Sequence, residues 1–156
     1  YAENAQKINA TLEAINPAAT QNLIPLGQMD SMLQARDRLD AGWLVGMLAD
    51  RSLADDPTVD AEFLGKPAPF PLGPWRMAAM LRQPVFFMAG LYLGGNRYDV
   101  HFEQIADFSN IDRGERDAAI RAAVEKYVAT LERHCRAQPY NWFNFYDFWK
   151  SARDAS

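Results

Sequence analysis

The sequence predicts an α/β fold with a mixed, mostly parallel sheet flanked by helices. Residues 44–49 form an unbroken apolar run that ends in the charged pair Asp50-Arg51, and residues 85–92 form a second run of this kind. Strands buried on both faces of a parallel sheet have this pattern. Helix-like and strand-like segments also alternate over the first 50 residues, which is the order typical of parallel α/β proteins.

The first part of the chain is predicted to contain two helices and two strands. Apolar residues recur at helical spacing in residues 2–15, and residues 22–26 form a short apolar strand. A second helix begins after a cap at Asp30 or Ser31 and ends near Gly42, since glycine commonly follows the last helical turn. The strand of residues 44–49 comes next.

The following segment is predicted to be a loop, a strand, a proline-rich loop and a helix. Residues 52–58 are polar, and residues 59–63 alternate between apolar and acidic side chains, as in a half-exposed strand. Residues 66–71 contain too many prolines for a central strand. A helix begins at Gly73-Pro74, because proline suits the first helical position.

The last part is predicted to contain a hairpin, a long helix and an aromatic tail. Residues 94–96 form the turn between a fully buried strand and an edge strand, whose wet face carries Asp99, His101 and Glu103. Residues 112–137 have an apolar helical face, and the segment from Tyr140 to Trp149 holds seven aromatic residues in ten.

Bulk composition limits the function. A chain of 156 residues is expected to be a single domain, residues 1–156, and its net charge of −4 argues against nucleic acid as the main partner. The only cysteine, Cys135, permits no internal disulfide, fits a reducing compartment and is expected to be a buried helix residue. No apolar run is long enough to span a bilayer.

Common catalytic patterns are missing from the sequence. It has no Gly-rich phosphate loop and no nucleophile elbow, and one cysteine with two distant histidines does not supply a zinc site. We expect His101 and His134 to be solvated surface residues, because neither has a base or nucleophile beside it in the sequence.

The pair Asp50-Arg51 is the main candidate site. It is either an ordinary ion pair at a strand end or an anion-binding site, since the guanidinium group binds phosphate and carboxylate in a bidentate manner. Lys66 and Arg76 flank the proline-rich loop and could join such a site. The aromatic tail either packs back on the domain or meets another surface, such as a membrane interface or a neighbouring segment.

Several ordered motifs resemble the bacterial lipid A biosynthesis (lauroyl/myristoyl-type) acyltransferase family. They are Leu48-Ala49-Asp50-Arg51, Glu62-Phe63-Leu64-Gly65-Lys66-Pro67-Ala68, Phe70-Pro71-Leu72-Gly73-Pro74-Trp75, Gln83-Pro84-Val85-Phe86, and the tail from Pro139 to Trp149. The resemblance covers nearly the whole chain. It implies part of a glycerolipid-acyltransferase-like fold, with a C-terminal helix and an aromatic tail.

The resemblance also implies an activity. Members move a fatty acyl chain from an acyl carrier protein or coenzyme A thioester to a hydroxyl of a lipid A-like or other glycolipid acceptor, without another cofactor, at the cytoplasmic face of the bacterial inner membrane. It implies substrate binding by Asp50, Arg51, Lys66 and Arg76. It further implies an acyl or acceptor cleft lined by Phe63, Phe70 and Trp75.

The family's catalytic motif, His-x-x-x-x-Asp/Glu, is not matched. The acid position after His101 is Ala106 and that after His134 is Pro139. We therefore expect this chain to be the C-terminal part of an acyltransferase, soluble and inactive by itself, with the base, the acid and the membrane anchor upstream. An exposed sheet edge and apolar face should then cause self-association.

Two other functions stay open. The chain could be a non-catalytic module that binds lipid or acyl carrier protein, as a degenerate family member. With the resemblance set aside, it could be an unrelated α/β enzyme that binds an anionic small molecule at Arg51.

Overall fold

The computed structural model describes residues 23–24, 30–51, 57–145 and 147–149. The chain divides into two compact units, Tyr1–Gly46 and Met47–Ser156. The predicted helix of residues 2–15, most of the predicted strand of residues 22–26 and most of the loop of residues 52–58 lie outside the described residues. Leu23 and Ile24 have no regular secondary structure.

The described part of the first unit contains helix α1, Ser31–Asp40, as predicted. Its end forms a Schellman motif. The backbone N–H of Gly42 donates to the carbonyl of Leu39 at 2.9 Å, and that of Trp43 donates to the carbonyl of Arg38 at 2.9 Å. Gly42 has φ +83°, the left-handed conformation that a glycine adopts without steric cost. The predicted role of Gly42 as a helix terminator is confirmed.

The predicted buried strand of residues 44–49 is wrong. Residues 43–49 have no regular structure, and Leu44 and Leu48 are 91% and 71% exposed. A strand needs a neighbour to receive its backbone hydrogen bonds, and no described strand pairs with this run. A continuous apolar run in the sequence does not show whether a second strand is available to pair with it.

The second unit begins with an antiparallel hairpin of β1, Thr58–Phe63, and β2, Lys66–Pro71. β1 is the half-exposed strand that the sequence predicts, but β2 replaces the predicted proline-rich loop. The N–H of Leu72 donates to the carbonyl of Pro57 at 2.8 Å. Because hydrogen-bonded and non-hydrogen-bonded pairs alternate in an antiparallel ladder, this bond shows which residues of β2 direct their backbone toward β1. The three prolines of β2 therefore occupy positions whose missing N–H would face away from β1. Proline at every second residue is compatible with an edge strand.

Helix α2, Gly73–Met80, follows with proline in its first turn, as predicted. The chain then forms β3, Pro84–Gly94, and β4, Arg97–Asp107, which pair antiparallel around the predicted turn at residues 94–96. Gly95 and Asn96 have φ values of +55° and +62°, as a two-residue type I′ turn requires.

The β3–β4 sheet corrects two predictions. β3 is not fully buried, because it alternates between inward residues such as Phe87 and outward residues such as Met88. On β4 the polar His101 and Glu103 lie on the more buried face, whereas their apolar neighbours point outward. Both described sheets are two-stranded and antiparallel, so the fold is mixed α/β, but the predicted mostly parallel sheet is wrong.

Helix α3, Arg116–Ala137, packs its predicted apolar face into the core. The buried members of that face include Ile120, Val124, Val128 and Cys135. A short 3-10 turn, Pro139–Asn141, follows the break that Pro139 predicts. None of the helices in the described ranges has the length and apolar character needed to cross a bilayer.

Candidate functional site

Asp50 and Arg51 lie side by side at the end of the irregular run. The Nε of Arg51 is 3.5 Å from Oδ2 of Asp50, and its Nη2 donates to the carbonyl oxygen of Phe143 at 3.5 Å. Both hydrogen bonds are at the long limit, so they orient the guanidinium group weakly. The Arg51 side chain is 48% exposed, whereas that of Asp50 is 14% exposed. Arg51 therefore keeps N–H donors available to a ligand in solvent.

The Asp50 carboxylate influences two groups on helix α3. Burial and, to a smaller extent, the negative charge of Asp50 together raise the pKa of the Cys135 thiol to about 11. Burial likewise raises the pKa of the Tyr127 phenol, and the charge of Asp50 adds to this effect. Cys135 is buried, as predicted, and stays a neutral thiol near pH 7. It is therefore not a nucleophile at this site.

Exposed aromatic rings adjoin the Arg51 contact. The ring of Phe143, whose carbonyl binds Arg51, is 62% exposed, and Phe145 is 90% exposed. Their ring centroids are 6.5 Å apart. The arrangement combines an available cation with solvent-exposed apolar surface, which suits a molecule that carries both an anionic group and hydrocarbon.

The structure does not join Lys66 and Arg76 to this pair. Lys66 begins β2, beside the Leu64-Gly65 turn, and Arg76 lies on α2. Both side chains are exposed, and no hydrogen bond or ion pair connects either one to another described residue. Their predicted contribution to substrate binding stays a prediction.

The predicted cleft residues Phe63, Phe70 and Trp75 lie in the core. Their exposures are 0%, 0% and 2%. The Phe63 ring contacts Phe70 and Trp142, with centroid separations of 5.8 and 5.2 Å. They present almost no surface to solvent. A direct role in lining a cleft stays a prediction.

The aromatic tail divides into a packed part and an exposed part. Trp142, Phe148 and Trp149 pack against Phe63, and the indole Nε1–H of Trp149 donates to the Phe63 carbonyl at 3.1 Å. Tyr140, like Phe143 and Phe145, stays exposed. The interpretation that the tail packs back on the domain is confirmed for Trp142, Phe148 and Trp149, and contact of the exposed rings with another surface stays a prediction.

The histidines form a cluster that sequence reasoning missed. Nε2 of His101 lies 3.0 Å from Oδ2 of Asp99, and the rings of His101 and His134 are 4.9 Å apart. His134 also stacks on Phe87 at 5.2 Å. The expectation that neither histidine has a base beside it is wrong for His101, which contacts the Asp99 carboxylate. The spacing of Asp99 and His101, two residues apart on one strand face, was the available signal.

Desolvation lowers the pKa of His134, and the nearby charges of His101 and Arg133 lower it further, while Glu103 opposes them. Glu103 binds Arg133, and the hydroxyl of Thr130 donates to Glu103 at 3.4 Å. Across the ranges that the structure describes, no group of three or more histidine, cysteine or acidic side chains is arranged to hold a metal ion.

Comparisons with known proteins identify no relative, because no family model, no curated protein and no solved structure matches the chain.

Proposed function

We propose that this chain is the C-terminal part of an O-acyltransferase that acts on a lipid A-like or other glycolipid acceptor, and that it binds the anionic part of the acceptor through Arg51. The ordered motifs described above support the reaction class. The observation that carries the binding role is the half-exposed Arg51 guanidinium, which is linked to the backbone of the exposed residue Phe143.

The chemistry separates into reaction and binding. In such a transfer the carbon–sulfur bond of the acyl thioester breaks, an ester bond to the acceptor oxygen forms, and a base takes the hydroxyl proton and delivers it to the leaving thiolate, which becomes a thiol. The His-x-x-x-x-Asp/Glu base belongs to the proposed upstream part. In this chain Asp50 orients Arg51, and Arg51 pairs with a phosphate or carboxylate of the acceptor.

The binding role is tested by co-sedimentation of the chain with phosphatidylglycerol or phosphatidylcholine vesicles. We expect preference for the anionic lipid and a roughly 10- to 100-fold weaker affinity for Arg51→Ala, because hydrogen bonds to charged groups contribute about 1.5–3 kcal/mol. Arg121→Ala is the matched control, since Arg121 is an exposed arginine on α3. Equal effects of the two substitutions, or none, would refute the role of Arg51.

The acyltransferase assignment has a separate test. With a fatty acyl carrier protein thioester and a glycolipid acceptor, the isolated chain should show no turnover. Turnover that disappears in His101→Ala would place the base within this chain, at the Asp99–His101 pair, and would overturn the proposed division. A His-x-x-x-x-Asp/Glu motif in the upstream coding sequence supports the enzyme.

The competing function is a non-catalytic module that binds lipid or acyl carrier protein. The exposed rings of Phe143 and Phe145 beside the Arg51 contact fit lipid binding without catalysis equally well. An upstream sequence that lacks the catalytic motif, together with retained lipid binding, would favour the module.

A further inference from the structure

The outer edge of β4 has no strand partner among the residues that the structure describes. Arg97 pairs with Gly94 across the two-residue turn, so its backbone groups face β3. The Lys126 ammonium donates to the carbonyl of Gln104 at 2.8 Å, so this carbonyl faces away from β3. Because backbone directions alternate along a strand, the N–H and C=O groups of Tyr98, Val100 and Phe102 also face outward. No described residue pairs with them.

The other hairpin edges carry features that hinder strand pairing over part of their length. On β3, the Tyr92 N–H donates to Oδ1 of Asn141 at 2.6 Å, and Nδ2 of Asn141 donates to the Tyr92 carbonyl at 3.4 Å. On β2, alternate prolines remove the outward N–H groups. The outer edge of β1 carries Asp60 and Glu62, whose charges would repel in a pair of β1 strands.

We propose that β4 pairs antiparallel with β4 of a second copy of this chain, with Val100 opposite Val100. This register places every outward backbone group of residues 98–102 opposite its counterpart. It sets Arg97 opposite Glu103 of the second copy and Asp99 opposite His101 of the second copy. Arg97 therefore meets the opposite charge of Glu103 at both ends of the pairing, and Asp99 meets a histidine that attracts it when protonated, which favours a second copy as the partner.

The same charges exclude the neighbouring registers. A shift by two residues in one direction places Asp99 opposite Asp99 of the second copy. A shift in the other direction places Asp99 opposite Glu103. Like charges directly opposite each other destabilise a ladder, so the register centred on Val100 is favoured among those that the backbone permits.

The proposed dimer contains a four-stranded antiparallel sheet with β4 strands at its centre. Tyr98, Val100 and Phe102, which are 64%, 52% and 63% exposed, lie on one face. Tyr98 of one copy meets Phe102 of the other on that face. The pairing removes an open edge, the feature that most readily causes uncontrolled strand addition.

Size-exclusion chromatography with light scattering over a protein concentration series tests the proposal. We expect a dimer, and we expect Val100→Lys to raise the dissociation constant at least about tenfold, since two lysines would meet at the two-fold axis. Met88→Lys is the matched control, because Met88 is 65% exposed on the same sheet face but lies on β3. Equal weakening by both substitutions would show that the apolar face, not the β4 edge, drives association and would overturn the proposal.

Cross-linking tests the register directly. The native cysteine, Cys135, is buried, so Val100→Cys introduces the one exposed thiol of the described residues. Opposed residues of a hydrogen-bonded pair are about 5.5 Å apart at Cα, within disulfide range. Mild oxidation should yield a covalent dimer, whereas Met88→Cys should not. A monomeric native chain at every concentration, or no Val100→Cys dimer, would refute the pairing.

Discussion

At the residue scale, Phe63 connects the hairpin to the aromatic tail. Its ring meets Phe70, Trp142 and Phe148 within 6 Å between centroids, and its carbonyl accepts the Trp149 indole N–H. The burial of this side chain is complete. The tail therefore depends on one residue of β1 for much of its packing.

We expect Phe63→Ala to lower the free energy of unfolding by about 3–5 kcal/mol, because a fully buried ring leaves a cavity. Phe145→Ala is the matched control, since Phe145 is 90% exposed, and it should change stability by less than about 0.5 kcal/mol. Urea denaturation of both variants measures the difference. Similar losses in the two variants would contradict the assignment of Phe63 to the core.

Sequence reasoning located these residues but not their environments. Phe63 alternates with acidic neighbours, so its inward direction followed from the strand period. Its placement in the core depends on the return of Trp142 and Phe148 from about 80 residues along the chain. The contact between His101 and His134 is of the same long-range kind, and a one-dimensional pattern does not contain it.

At the element scale, the helices were predictable because their signals are local. The periodic apolar face of α3, the proline in the first turn of α2 and the glycine after α1 all act within one or two turns. Strand partners were not predictable, because continuous apolar runs arise in buried strands and in exposed irregular segments alike. The run of residues 44–49 shows the second case.

Successive residues of β2 direct their N–H groups alternately toward β1 and away from it, so we expect exchanges between alanine and proline at neighbouring positions to differ in their effect on stability. Ala68 is fully buried opposite Ala61, and its N–H faces β1. Ala68→Pro removes this donor and leaves the carbonyl of the half-buried Ala61 unpaired, so we expect a loss of about 1–3 kcal/mol. Pro69→Ala, at an outward position, should change stability by less than about 1 kcal/mol. Thermal unfolding of both variants provides the measurement, and equal losses would contradict the ladder direction.

The turn between β1 and β2 is stabilised by a hydrogen bond to helix α3. Leu64 adopts φ +54°, which is unfavourable for a residue with a branched side chain. Its N–H donates to Oε2 of Glu132 at 2.9 Å, and Glu132 also binds Arg136. The hydrogen bond from Leu64 holds the pKa of Glu132 below its usual value, and Arg136 adds to this. Helix α3 thereby stabilises the turn through an ionised carboxylate.

At the scale of the whole molecule, the contacts of helix α3 include two kinds that are sensitive to acid, one made by a histidine and the other by glutamates. His134 faces His101 and Glu103 from β4, Phe87 from β3, and Arg133 from its own helix. Glu103 and Glu132 tie the same helix to β4 and to the β1–β2 turn, and hydrogen bonds to their charged forms lower the pKa of each. The folded state therefore favours neutral His134 and ionised Glu103 and Glu132, which are the forms present at neutral pH.

Acid should therefore destabilise the fold in two pH windows. The pKa of His134 is lower in the folded state than its ordinary 6.5, so the unfolded chain binds more protons, and stability falls as the pH drops below about 6.5. The lowered pKa values of Glu103 and Glu132 give a second loss as the pH drops below their ordinary value of 4.5. Unfolding followed across this range in the Val100→Lys background keeps self-association out of the measurement. His134→Gln should abolish the loss of stability below about pH 6.5 and keep the loss below pH 4.5, whereas Glu132→Gln should reduce only the loss below pH 4.5. If the loss of stability below about pH 6.5 persists in His134→Gln, another group causes it.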